Sequence, residues 1–276
     1  MAKILDGKAL AAKIKTALRE EAAQMGKEIT LAVIIVGDDS ASRVYVDGKK
    51  RDCAEIGIKS EEHALSADTT EQELLALIDS LNARSDVDGI LVQLPLPKHI
   101  NAQNVIMRID HQKDVDAFHP INVGKIMVGN FSFLPCTPAG VMELIKESGV
   151  SIEGKECVVV GRSNIVGKPQ AMLLLHENGT VTICHSRTKN LADVCRRADI
   201  LVVAVGKSRF ITADMVKDGA VVIDVGMNRE DGKLCGDVDF ESVKEKAFAI
   251  TPVPGGVGPM TRAILMRNTV TAAKLR

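Results

Sequence analysis

The chain has 276 residues, enough for two α/β domains that each bury an apolar core. Its 35 lysines and arginines nearly balance 36 aspartates and glutamates, and a net charge of -1 leaves no electrostatic footprint for wrapping nucleic acid or an anionic membrane. Six cysteines without a CxxC pair suit a reducing cytoplasm, and the six histidines never fall at metal-ligand spacing, so no metal is expected. No apolar run reaches the roughly 18 to 20 residues that span a bilayer. A small molecule is the expected partner.

From Gly7 to Met25 the apolar residues Leu10, Ile14, Leu18 and Ala22 recur every four positions, which predicts one face of a helix packed on a sheet. Thr30 to Val36 reads as a buried strand, Ser40 to Ile56 and Glu71 to Asn82 as helices, and Gly89 to Leu94 as a second strand. Strands alternating with helices favour a largely parallel sheet, with ligands gathered at the carboxyl ends of the strands. A helix from Ala139 to Glu147 leads into a second series of strands at Cys157 to Val160, Val181 to Cys184, Ile200 to Ala204 and Val221 to Val225. The domain boundary is therefore expected after Pro138. The last helix, about Pro259 to Lys274, is long and amphipathic, so it is expected to return to the first domain.

The run VVVGRSNIVGKP, Val158 to Pro169, opens the second series. In a dinucleotide fold the first strand delivers a glycine-rich turn whose backbone amides, with the following helix N-terminus, face the pyrophosphate. Gly161 and Gly167 flank such a turn, one residue longer than GxGxxG. It is also too long for a P-loop, and Pro169 stands where a magnesium-binding hydroxyl belongs, so kinase chemistry is disfavoured. Proline instead suits a first helical turn. Taken alone, such a turn joins strand to helix in many α/β domains. The next strand sharpens it, because it ends Cys184-His185-Ser186-Arg187 without the carboxylate that holds an NAD ribose. Arg162, Ser163, Ser186 and Arg187 together suit a 2′-phosphate, which points to NADP, although either arginine alone is more often a solvated surface charge.

In the first half, Tyr45 and Lys49 stand four apart on a predicted helix and share one face. Tyr45 is the only tyrosine in a chain without tryptophan, and its ring suits a flat heterocycle. Such pairs are also common on exposed helices. A short-chain dehydrogenase YxxxK fails on order, since here the pair precedes the nucleotide turn by more than a hundred residues. The strand Gly89 to Leu94 runs into Gln93-Leu94-Pro95-Leu96-Pro97, where prolines close the strand and place Gln93 at the carboxyl end of the sheet. Downstream, Lys113-Asp114-Val115-Asp116-Ala117 forms an acidic loop without calcium-site spacing. One carboxylate there suits ligand binding, while a turn or helix cap is the favoured explanation for either aspartate alone.

Taken in order, SRVYVDGK, DGILVQLPLP, KDVDAFHPIN, LPCTPAG, VVVGRSNIVGKP, CHSRT, DVGMN and TPVPGGVGPMT resemble the bifunctional methylenetetrahydrofolate dehydrogenase/methenyltetrahydrofolate cyclohydrolases of one-carbon metabolism, over nearly the whole chain. The resemblance implies an amino-terminal α/β folate domain, residues 1–138 completed by about 262–276, and a Rossmann-type NADP domain, residues 139–261, facing each other across a cleft in a homodimer. It implies a catalytic Lys49, Tyr45 stacked on the folate, Gln93 hydrogen-bonded to the lysine, and Asp116 on the pterin, where a carboxylate accepts paired hydrogen bonds from the amino group and the adjacent ring N–H. Ser42 is implied near the lysine, and Pro254, Gly255 and Gly256 in a loop against the ligands. Val166 and Thr137 join the implied cofactor site. Two departures stand out: Ala117 where glycine is common, and Arg262 where a small apolar residue is usual.

The implied reactions are NADP-dependent oxidation of 5,10-methylenetetrahydrofolate to 5,10-methenyltetrahydrofolate and hydrolysis of the latter to 10-formyltetrahydrofolate. The first is mainly a matter of alignment. The second moves protons, a task for a lysine whose pKa is lowered beside a cationic substrate. Two rivals remain open at this point. One is a two-domain dehydrogenase of hydroxy or amino acids with Lys49 and Asp116 as the acid–base pair; the other is a non-catalytic NADP-binding regulator.

Overall fold

In the computed structural model the alternation of strands and helices becomes two separate parallel sheets. Residues 1–276 are described, apart from the side chains of residues 40–42, so Ser42 lies outside the described residues. In chain order the elements are β1 (Lys3–Ile4), α1 (Gly7–Gln24), β2 (Thr30–Val36), α2 (Ser40–Ile56), β3 (Lys59–Leu65), α3 (Glu71–Ala83), β4 (Gly89–Val92), α4 (Ala102–Arg108), α5 (Pro120–Met127) and α6 (Cys136–Ser148). They continue with β5 (Glu156–Val160), α7 (Gly167–His176), β6 (Thr180–Cys184), α8 (Leu191–Cys195), β7 (Ile200–Val203) and β8 (Val221–Asp224). A small antiparallel pair, β9 (Asn228–Glu230) and β10 (Lys233–Cys235), precedes α9 (Phe240–Val243), β11 (Ala249–Ile250) and α10 (Val257–Lys274).

The chain divides into two compact units. One comprises residues 1–11 and 135–261, the other residues 12–134 and 262–276. The first eleven residues thus depart from the expected division, because Lys3 and Ile4 pair in parallel with Ala249 and Ile250 and extend the larger sheet. The cut before α6 falls at Pro135 rather than after Pro138. Helix α6 begins three residues earlier than the sequence suggests, with Pro138 inside its first turn, where a missing N–H leaves no intrahelical bond unmade.

In the unit of residues 12–134 and 262–276 the sheet order is β3-β2-β4, all parallel. All seven residues of β2 are buried, as a central strand covered on both faces requires. Helix α3 lays Leu74, Ile78 and Leu81 against Ala32, Ile34, Ile90 and Val92, and a Thr70–Glu73 capping box fixes its start. Strand β3 reads KSEEHAL, and its polar, half-buried edge position hides it from a hydrophobic pattern.

The unit of residues 1–11 and 135–261 has the order β1-β11-β8-β7-β5-β6, again all parallel. The chain moves from β5 outward to β6, then returns to β7 on the other side of β5. That reversal makes the carboxyl ends of β5 and β7 a topological switch point, where open α/β sheets bind ligands.

Candidate active site and nucleotide site

The nucleotide turn leaves β5 at the switch point. Gly161 adopts φ +137°, and a Cβ there would strike the carbonyl of Ala204, which follows β7. A Cβ on Gly167 would strike the Gly161 carbonyl. Both glycines therefore let the first turn of α7 press against the end of the strand, as a pyrophosphate cradle needs. Ser163 folds back on this turn, its Oγ accepting from the Val166 and Gly167 N–H groups at 3.1 and 3.3 Å. Pro169 sits in the first turn of α7, as expected.

At the end of β6, the His185 N–H donates to Thr188 Oγ1 at 2.8 Å and the Arg187 N–H to His185 Nδ1 at 3.1 Å, a tight turn that leaves Ser186 and Arg187 exposed. Arg162 is exposed as well, and no carboxylate occupies the end of β6. This donor set fits a dinucleotide with a 2′-phosphate. Thr137, on α6, shares a 3.0 Å hydroxyl–hydroxyl hydrogen bond with Thr261.

Two buried carboxylates escaped the sequence reading and frame this site. Asp237 is fully buried and accepts from the backbone N–H groups of Val205, Gly206 and Lys207 at 2.6–2.9 Å, and from Asn228 Nδ2 at 2.9 Å. Asp224, at the end of β8, accepts from the N–H groups of Gly226, Asp237 and Val238, each at 2.9 Å. Together they fold the loops after β7 and β8. Burial pushes the Asp224 carboxyl up to about 6, against its three N–H donors. A visible signal was the pairing of GDVD with two glycines: a Cβ on Gly226 or Gly236 would collide with Asp237 or Asp224.

In the unit of residues 12–134 and 262–276, α2 follows β2 and carries Tyr45 and Lys49, both half-buried. Lys49 Nζ donates to Gln93 Oε1 at 2.8 Å. Gln93 lies just beyond β4; its N–H continues the ladder to Ile34 O at 2.8 Å, and its Nε2 donates to Leu94 O at 2.7 Å. The amide oxygen is thereby turned to the lysine. The Leu94–Pro95 and Val253–Pro254 peptides are both cis. Burial raises the Tyr45 hydroxyl above its ordinary value, opposed by the Arg262 charge, so the ring is neutral at physiological pH.

The acidic loop separates its two aspartates. Asp114 is buried and accepts from the His119 N–H at 2.8 Å and Asn122 Nδ2 at 2.9 Å, so it shapes the turn into α5. Asp116 is only half-buried. Its segment lies along β4 through the Ile90 N–H to Lys113 O, and Gly89 leaves room for Val115. Asn268 of α10 donates to Val115 O and Leu134 O, both at 2.8 Å, which ties the last helix to this loop. Lys113 is buried and caps α3 with bonds to the carbonyls of Leu81, Asn82 and Arg84. The structure thus joins Lys49 to Gln93 directly. Pro254, Gly255 and Gly256 belong to the other unit, where Gly255 O accepts from the Lys8 N–H at 3.2 Å.

A Rossmann-type nucleotide turn in one unit and a lysine–amide pair at the end of a parallel sheet in the other define a two-domain pyridine-nucleotide enzyme. Residues 5–116 match the tetrahydrofolate dehydrogenase/cyclohydrolase catalytic domain, and residues 135–276 match the NAD(P)-binding domain of the same family. The chain belongs to the tetrahydrofolate dehydrogenase/cyclohydrolase family. It is 67% identical over 279 residues to the bifunctional protein FolD of Acetivibrio thermocellus, covering 100% of this chain and 98% of that one. The bifunctional FolD structure from Campylobacter jejuni superposes with a TM-score of 0.98 at 52% identity, covering 100% of both chains. The Trypanosoma brucei enzyme, complexed with NADP cofactor and inhibitor, superposes with a TM-score of 0.96 at 39% identity, covering 99% of this chain and 98% of that one. These matches disfavour both rivals. Among the described residues no helix is long and apolar enough to cross a membrane, and no cluster of His, Cys, Asp or Glu could hold a metal ion.

Proposed function

We propose that Tyr45, Lys49, Gln93 and Asp116 form the substrate face of a bifunctional one-carbon enzyme, and that Gly161, Arg162, Ser163, Val166, Gly167, Ser186 and Arg187 hold its NADP. The chain oxidises 5,10-methylenetetrahydrofolate to 5,10-methenyltetrahydrofolate and hydrolyses the product to 10-formyltetrahydrofolate. The observation that carries the assignment is the Lys49–Gln93 hydrogen bond at the carboxyl end of β4. NADP supplies the hydride acceptor when bound.

The residues then divide the work. Gln93 orients the Lys49 amine through a neutral oxygen, without adding negative charge beside it. Lys49 is placed to move protons as water adds to the methenyl carbon and the bridge opens. Tyr45 offers a neutral ring for stacking on the pterin. Asp116 accepts paired N–H groups from the pterin, selecting a folate over an acid substrate. Ser42, Thr137, Pro254, Gly255 and Gly256 keep assignments that rest on the resemblance alone, as do a cytoplasmic location and a homodimer. Light scattering at twice the chain mass checks the dimer.

The decisive assay offers methylenetetrahydrofolate with NADP and, separately, NAD, following methenyl formation and decay spectrophotometrically. Methenyl should form faster with NADP and then decay enzymatically. No methenyl with either nucleotide overturns the reading.

A further inference from the structure

Tyr45, Gly48 and Asp52 stand at i, i+3 and i+7 on α2 and form one stripe, with Lys49 beside it. Glycine is a poor residue for the middle of a 17-residue helix, so Gly48 calls for a local reason. The reason is Arg262 of α10. Gly48 is buried, and a Cβ there would land on an Arg262 guanidinium nitrogen, 3.3 Å from Cζ and 3.4 Å from Cδ. The arginine therefore lies lengthwise on bare helix backbone. Its Nε lies 2.9 Å from Asp52 Oδ2, a charge pair in which that N–H makes no hydrogen bond, and the carboxylate, 5% exposed, accepts from Lys15 Nζ of α1 at 2.9 Å. Asp52 thus clamps Arg262 while remaining paired to a second cation. Tyr45 is the i−3 neighbour of Gly48 on this face, so the guanidinium fills the place where a residue-48 side chain would have lain beside it.

We infer that Arg262 is a positioning residue for substrate affinity: clamped by Asp52 in the space left by Gly48, it confines the Tyr45 side chain against which the folate stacks. The inference rests on the assignment of Tyr45 and Lys49 to the substrate site. The Lys49–Gln93 bond does not run through Arg262, so the proton-moving pair is untouched by its loss. Without the arginine, Tyr45 must be ordered by the substrate itself. Ordering one such side chain weakens binding about 3- to 10-fold. Arg262 stands where the family resemblance leads one to expect a small apolar residue, so this clamp separates the present chain from relatives lacking the arginine.

The test compares Arg262→Ala, Gly48→Ala and the double variant in both activities. Gly48→Ala reaches the same end by a different route, because the new methyl displaces the flexible end of Arg262 while favouring the helix. Each single variant is expected to raise KM for the folate about 3- to 10-fold with kcat within about twofold. Gly48→Ala should also keep or raise the melting temperature, which a merely weakened fold would not. The double variant should match Arg262→Ala, since the methyl then displaces nothing. Unchanged KM in either single variant, a fall in kcat at constant KM, or KM effects that multiply in the double variant would overturn the inference. Lys49→Met, assayed alongside, separates the two levels. Retained turnover there refutes the site assignment itself, whereas lost turnover with a wild-type Arg262→Ala refutes only the clamp.

Discussion

The two sites are built from different materials. In the nucleotide-binding unit the geometry is written mostly in backbone: Gly161 and Gly167 remove Cβ atoms that would meet carbonyls, and Asp224 and Asp237 spend their oxygens on backbone N–H groups. In the other unit the proposed chemistry rests on side chains, with Lys49 and Gln93 joined across α2 and the end of β4. Substitutions in the first should act through shape and folding. Those in the second should act through turnover.

Lys49→Met puts the largest expected effect on that contrast. Removing a group that moves protons should lower cyclohydrolase turnover about 10³-fold, with the circular dichroism spectrum and melting temperature near wild type. Substantial residual turnover, or a collapse of the fold, would break the division between chemistry and architecture.

Asp224 tests the other side through pH. Its folded carboxyl is pushed up to about 6 from an ordinary 3.8 by burial, with the nearby Asp237 charge adding to the rise. Between these values the native state binds more protons than the unfolded chain. This group's contribution to stability is therefore least favourable above pH 6 and improves as pH falls towards 3.8, by up to about 3 kcal/mol. Other carboxylates, such as Glu61 beside Arg84, are held low and work in the opposite direction. The differential measurement isolates Asp224: the stability of wild type minus that of Asp224→Asn, taken with its sign, should increase as denaturation is repeated from pH 7 down to pH 4.5. A constant or decreasing difference contradicts the assignment.

Arg187 is an exception within the backbone-built site, because a 2′-phosphate calls for a cationic side chain. Arg187→Ala should weaken NADP binding about 10-fold, the loss of one charge-assisted hydrogen bond, and leave NAD binding unchanged by calorimetry. Equal loss for both nucleotides would show Arg187 acting on the shape of the turn after β6.

The same difference in materials explains how much was legible. Buried strands such as Thr30–Val36 and amphipathic helices announce themselves by period, and their bounds agree closely with the structure. The glycine turn was legible because positive φ and close approach leave glycine little competition. Tyr45 and Lys49 share a helix as their spacing predicts, and only the resemblance separates them from an ordinary helical pair. Three things were not legible, for physical reasons. The edge strand Lys59–Leu65 is polar and half-buried, so it carries no hydrophobic alternation. The pairing of residues 3–4 with 249–250 spans almost the whole chain, and no local pattern encodes it. The Asp52–Arg262 clamp joins residues over two hundred positions apart that each read as surface charge.

Ala117 sharpens the comparison to a single atom. It has φ +57° and is fully buried, directly after Asp116. At Gly161 a Cβ meets a carbonyl, whereas at Ala117 the methyl has found room in the core and the chain carries the backbone strain. Left-handed geometry costs an alanine about 1–2 kcal/mol, which Ala117→Gly would relieve. The substitution also gives up a buried methyl, about 0.8 kcal/mol, and frees the unfolded chain by about 0.4–1 kcal/mol. The terms nearly cancel, so chemical denaturation should place Ala117→Gly within about 1 kcal/mol of wild type. Folate KM is the finer gauge, because the strained residue adjoins Asp116: an unchanged KM would mean that the methyl leaves the carboxylate where glycine would put it. A loss well beyond 1 kcal/mol would show instead that the methyl's packing outweighs the strain, and that the surrounding core has built the left-handed turn around it.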